Sequence, residues 1–240
     1  MVTRRTFRVA GVDGTPGGWA VLITDVDRAV IHKITSMFEI FNIASDLNVI
    51  AIDVPIGLLD SYRAGGRICD RAARQVLGPP RASSVFPAPV RGVLAAGTWQ
   101  EASEISRASA PNGRGISKQT FAIVPKIKEV DELLQTRHEL RPLLREIHPE
   151  LCFCELVGRP MSYRKGSSAG RQERRLALKS VFTELDLIEK SGVDQAIPIE
   201  DIFDATIACW SAMRLANGEA RSLPAEVPLD RTGLPMAIWV

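Results

Sequence analysis

Two apolar runs, Phe7-Arg-Val-Ala-Gly-Val-Asp13 and Asn48-Val-Ile-Ala-Ile-Asp53, each end in an aspartate. A continuous run rich in β-branched residues and bounded by turn formers buries both of its faces, the pattern of a strand inside a parallel sheet. In open α/β sheets, ligands bind in the crevice outside the carboxyl ends of such strands. Both acids are therefore aimed at one place. A further acidic pair, Asp201 and Asp204, stands near the start of a segment whose apolar members (Ile202, Phe203, Ala205, Ile207, Ala208, Trp210, Met213) suit a packed helix. Carboxylates crowded into a partly buried site repel one another unless a cation neutralises them. The residue types thus point to a divalent metal.

The rest of the chain supplies a frame for these acids. Residues 7–13 read as a strand, Thr15-Pro-Gly-Gly18 as a turn, and 19–24 and 28–34 as two more strands of an antiparallel meander. A short helix over about 37–46 then crosses to the strand ending at Asp53, which makes the Asp13 and Asp53 strands parallel neighbours. Residues from approximately 57 to 142 are too many for a plain connection. They read as an insertion holding helices over 67–77 and 117–136 with a proline-rich loop (Pro79, Pro80, Pro87, Pro89) between them. A strand from Leu143 to His148 follows, stopped by Pro149, which suits the first turn of a helix closed by Gly158. Helices over 172–187 and 199–217 complete the pattern, Gly218 caps the last, and the apolar Leu234–Val240 tucks against the body. The expectation is one domain, 1–240, of α/β class: a mixed five-stranded sheet in the order β-β-β-α-β-α-β-α, flanked by helices.

Composition sets limits on partners and location. At 45% apolar and 24% charged the chain is an ordinary globular one. The opening residues show no apolar leader and no run approaches the ~18 residues a membrane span requires, so a cytoplasmic location and no membrane partner are expected. Four cysteines without a CxxC read as free thiols, and His148 with Cys152 and Cys154 matches no zinc spacing. The net charge of +2 hides two basic segments, 61–118 and 159–179, each with a net charge of +6, against −10 elsewhere. Such concentration favours a phosphate-bearing partner. Arg67, Arg74, Arg81, Lys118, Lys126, Lys165 and Arg171 are the candidate contacts. For Arg67 and Arg74 a second reading stays open, because with Asp70 they share one helical face and could form an internal ion-pair cluster. Asp201 could serve only to complement the helix dipole, and His148 could be a general base or simply bond a backbone carbonyl.

Several blocks in the same order carry a resemblance. Gly11-Val-Asp-Gly14 with Gly18-Trp19, Ile50–Leu58, the Arg67, Cys69-Asp70, Arg74 and Leu77-Gly78 set, Ser84–Arg91, Lys118-Gln119 through Asp131, His148-Pro-Glu150, Asp201 with Asp204-Ala205, and Asp230 through Trp239 resemble a family of unknown function described as predicted nucleases with an RNase H-like fold. That resemblance implies catalytic roles for Asp13, Asp53, Asp204 and Asp201. It implies Asp13, Asp53 and Asp204 as ligands of Mg2+ or Mn2+, and phosphodiester hydrolysis of nucleic acid by a two-metal mechanism. The acid that such enzymes carry on the first helix would fall at Glu39 or Asp46, neither of which matches the pattern, and Glu150 or Glu146 would substitute from the later strand exit. His148 and Glu150 join the candidate catalytic set on that basis. Two rivals belong to other classes: a phosphotransferase or ATPase of the actin-like sugar-kinase class, which shares the β-β-β-α-β order, and a non-catalytic nucleic-acid-binding domain. The first would consume ATP and the second would catalyse nothing.

Overall fold

The tight turn after Thr15, where Gly17 takes a φ of 77°, folds the first strand back on the second in the computed structural model, which describes residues 7–24 and 28–240. The reading of residues 1–6 as free of a leader lies outside the described residues. The elements in chain order are β1 (Val9–Thr15), β2 (Gly18–Thr24), β3 (Ala29–Ile34), α1 (Ile40–Ile43), β4 (Val49–Ile52), α2 (Ile68–Leu77), α3 (Trp99–Ala108), α4 (Lys118–Thr136), β5 (Leu144–Glu146), α5 (Pro149–Val157), α6 (Ser168–Lys179), α7 (Leu185–Asp194) and α8 (Ile199–Asn217). No helix among them is long and apolar enough to cross a membrane.

The strands form a mixed five-stranded sheet in the order β3-β2-β1-β4-β5. β1 pairs antiparallel with β2 and β2 with β3, while β1–β4 and β4–β5 are parallel. The expected α/β class and mixed five-stranded sheet are therefore present. Their cause is legible in the residues: hairpins join strands through tight turns, whereas parallel pairing demands a crossover. The crossover is shorter than expected, a 3₁₀ turn at Met37–Glu39 capped by the Ser36 hydroxyl and then the single turn of α1, because Ala44 is already extended.

Two helical expectations need correction. The single helix expected over 172–187 is two: α6 starts earlier, with the Ser167 hydroxyl accepting from the Gly170 amide, and ends at Lys179 in a turn that turns Phe182 inward, after which α7 begins. Neither glycine nor proline marks that break. The insertion also holds a helix that periodicity passed over, α3, whose Thr98 hydroxyl accepts from the Glu101 amide. Its start carried the Thr-x-x-Glu capping signature.

Contacts group the chain into two compact units. The first, Met1–Asp53 with Pro142–Arg221 and Trp239–Val240, contains the sheet together with α1, α5, α6, α7 and α8. Its core joins Val9, Leu22, Ala51, Phe153, Leu178, Phe203 and Ile207, among others. The second, Val54–Arg141 with Ser222–Ile238, contains α2, α3 and α4. The insertion expected from about 57 falls in this unit, which also takes in Ser222–Ile238. A small apolar core of Val90, Val93, Ala102 and Val124 and a set of buried ion pairs organise it.

Candidate functional site

β1 and β4 run in register from Val9↔Val49 to Val12↔Ile52, and the Asp53 amide donates to the Val12 carbonyl at 3.0 Å. Asp13 and Asp53 are thus the next pair along the ladder. Paired residues of parallel strands send their side chains to the same face, so both carboxyls emerge together where the strands end. That face also carries Val9, Gly11 and Thr15, and α8 packs on it.

Gly11 fixes how closely α8 can lie. A Cβ on Gly11 would come within 2.0 Å of the Cys209 nitrogen and 2.3 Å of the Ala205 oxygen. With only hydrogen there, backbone meets backbone, and the start of α8 reaches the carboxyl end of β1. Thr15 Oγ1 donates to Asp201 Oδ2 at 2.8 Å. Asp204, one turn deeper, is 2% exposed. Sequence reasoning passed over Gly11, although its place two residues before Asp13, on the same face, was the available signal.

The electrostatics are those of forced proximity. Burial raises the Asp13 carboxyl well above the ordinary carboxylate range, and the charges of Asp204, Asp53 and Asp201 push the same way. Burial lifts Asp53 to about 6, with the His148 charge opposing and the Asp204 charge adding. Burial also raises Asp201, against the hydrogen bond from Thr15. Lys165 answers them directly: its Nζ stands 2.7 Å from Asp204 Oδ2, and the Asp204 charge raises its own ammonium above the usual lysine value.

The remaining candidates divide. His148 is the N-cap residue of α5, and Pro149 begins the helix as expected. Its charge bears on Asp53, and so does that of Glu150. Glu150 Oε1 takes an ion pair from the buried Arg174, whose guanidinium lies over the Phe153 ring; Glu150 Oε2 is buried with no hydrogen-bond partner among the described residues. Glu146 pairs in register with Ile52, one residue out of step with Asp53, which sends it to the opposite face. Glu39 accepts from Thr35 and Asp46 pairs with Arg8, so neither joins the site.

Of the basic candidates, Lys165 belongs to the carboxylate cluster and Arg171 pairs with Glu200 at 2.9 Å. Arg67 needs correction as a phosphate contact. It is 2% exposed, and its guanidinium donates to Asp70 and to the carbonyls of Ile56 and Gly57. The internal-cluster alternative is the one realised. Arg74 likewise donates to the carbonyls of Val85 and Gly65. Arg81 and Lys126 are half-buried, whereas Lys118 is exposed with its ammonium 5.7 Å from the centre of the Trp99 ring. All four cysteines are free, and burial pushes the Cys152 and Cys209 thiols up to about 12. Such thiols are inert at neutral pH.

Among the described residues, no three His, Cys, Asp or Glu side chains converge closely enough to enclose an ion as they stand. The donor set still fits a hard divalent cation by its chemistry. Its oxygens are carboxylate, the type that Mg2+ and Mn2+ prefer.

A family model described as a protein of unknown function (DUF429) matches residues 11–229. No curated protein and no solved structure matches the chain.

Proposed function

We propose a function for this chain, which belongs to the DUF429 family of proteins of unknown function: divalent-metal-dependent hydrolysis of phosphodiester bonds in nucleic acid, on an RNase H-like fold. The observation that carries it is that Asp13 and Asp53 leave adjacent strands on one face and that burial and the charge of Asp204 raise both carboxyls. Perturbed acids gathered at strand ends mark a site built for work rather than for stability. The strand order and the position of α8 support the fold reading.

Asp13, Asp53 and Asp204 would hold the ion, with Asp201 beside them. Bound Mg2+ or Mn2+ supplies a Lewis acid for water and for the phosphate oxygens. The chain's own part is to present oxygens from two adjacent strands and one helix on a rigid frame. His148, whose charge acts on Asp53, would carry a proton between the reacting water and solvent. Phosphate contacts come from the exposed basic residues, of which Lys118 is the clearest, and these would position a strand without reading its sequence.

The test is a crystal grown with Mn2+, which should give anomalous density among Asp13, Asp53 and Asp204. Paired with it, a cleavage assay should need the divalent ion and no nucleotide. ATP consumption in the absence of cleavage would favour the phosphotransferase reading, and metal-independent binding alone would favour the non-catalytic one.

A further inference from the structure

We propose that Lys165 is a displaceable counter-cation: its ammonium neutralises the carboxylate cluster in the metal-free chain and leaves Asp204 when a divalent cation binds. The inference rests on the metal reading above and describes what the same site does before the ion arrives.

Lys165 reaches the cluster from outside. Its side chain is 53% exposed, whereas that of Asp204, 2.7 Å from its Nζ, is 3% exposed. The backbone that carries it is a turn, closed by the Ser167 amide donating to the Arg164 carbonyl at 3.0 Å, and it lies in the exposed stretch 162–169 ahead of α6. A Cβ at Gly166 would meet nothing within 4 Å, and the tip is tied through its carbonyl to the Arg171 guanidinium at 3.1 Å.

The base of the stretch is fixed differently. Glu173 accepts from the amides of Ser162 and Tyr163 and from Arg159, and Arg174 donates to the Tyr163 carbonyl. With the turn held at its base and tip and the side chain half exposed, a four-carbon stem swings without moving the fold. Lysine suits that task because its ammonium is a strongly hydrated point charge on a flexible stem.

Charge makes the displacement necessary. Asp13, Asp53, Asp201 and Asp204 face the Lys165 ammonium, with the His148 charge also acting on Asp53, and Glu150, nine-tenths buried with one oxygen lacking a hydrogen-bond partner among the described residues, adds its charge toward Asp53. A divalent ion brings two positive charges to the same oxygens. It and the ammonium then repel each other at close range in a poorly screened site. Lysine and ion exclude one another, and the apparent metal affinity of the native chain is lowered by the lysine it must expel.

Mn2+ titrations followed by the paramagnetic resonance of the free ion, on the full chain and on Lys165→Met and Lys165→Arg, test this directly. Lys165→Met should bind about tenfold more tightly than the native chain and Lys165→Arg should stay near it. In parallel, acetylation of Lys165 in the native chain, read by mass spectrometry, should become faster when Mn2+ is added, a readout that needs no variant to fold. Equal or weaker binding by Lys165→Met, or acetylation that slows or does not change with Mn2+, overturns the inference while leaving the metal reading in place. If neither the native chain nor Lys165→Met binds Mn2+, the metal reading itself falls and the inference with it.

Discussion

Gly11 of β1 and Cys209 of α8 meet through backbone alone: a Cβ on the glycine would sit 2.0 Å from the Cys209 nitrogen. Real side-chain carbons do not approach that closely, and both partners belong to regular elements that cannot bend aside. Gly11→Ala must therefore lift α8 off the sheet and draw Asp204 away from Asp13. Overpacking of this kind should cost about 3 kcal/mol or more, read as a lowered urea midpoint, and should weaken Mn2+ binding together with stability. A variant within about 0.5 kcal/mol of the native chain would show that α8 does not rest on this contact.

The raised carboxyls set a pH dependence with a definite sign. An acid that folding weakens favours the folded chain while protonated. Its contribution is fully present below the unfolded value and is lost as pH rises through the folded one. For Asp53 that window runs from the ordinary 3.8 to about 6, a difference corresponding to about 3 kcal/mol at most. Metal-free protein should lose stability across this window, and Asp53→Asn, which has no charge to develop, should flatten the loss. Asp13→Asn should likewise stabilise the metal-free chain at neutral pH while abolishing metal-dependent cleavage. Chemical denaturation at pH 4, 6 and 8 checks the sign, and a native profile that is level or rises over that interval would refute it.

The sheet was readable because its strands are continuous β-branched runs separated by Thr15-Pro-Gly-Gly18 and by a short crossover, signals that are local. That Asp13 and Asp53 leave the sheet side by side followed from two strand ends in register. What stayed hidden depends on partners far away in sequence. Lys165 and Asp204 are 39 residues apart, and nothing around Lys165 marks it as reaching a buried acid. Arg67 and Asp70 show the opposite difficulty, since an i, i+3 pair fits an internal bridge and an exposed basic face equally well; only burial decides. The break between α6 and α7 has neither glycine nor proline to announce it, so periodicity ran through it.

Arg67 and Lys118 should behave as opposites. Removing the guanidinium in Arg67→Met leaves Asp70, 1% exposed, without its ion partner, which should cost about 3–5 kcal/mol. Nucleic-acid affinity of the fraction that remains folded should not change. Lys118→Ala, at an exposed ammonium over Trp99, should leave stability within about 0.5 kcal/mol while lowering affinity and making it less sensitive to salt. Denaturation and salt-dependent binding measured side by side distinguish the two. Native binding that does not weaken between low and physiological salt would remove nucleic acid as the partner.

Asp204 and Asp201 lie three residues apart on α8 but do different work. Asp204 is 2% exposed, bonds the Lys165 ammonium, and stands ahead of Asp201 among the charges that raise Asp13. Asp201 is half-buried in the first turn, where the Thr15 hydroxyl already occupies one of its oxygens. A ligand must offer an oxygen toward the other carboxylates, and the Asp204 charge acts on both Asp13 and Asp53. Asp204→Ala should therefore cost more Mn2+ affinity and more cleavage than Asp201→Ala, about 100-fold against about tenfold by analogy with the loss of a ligand and of an outer group. Asp204→Ala also strands Lys165 without its acid, so its stability at neutral pH is measured alongside. Isothermal titration of Mn2+ into the two folded variants settles the order, and the reverse ranking would make Asp201 the ligand and Asp204 chiefly the anchor of Lys165.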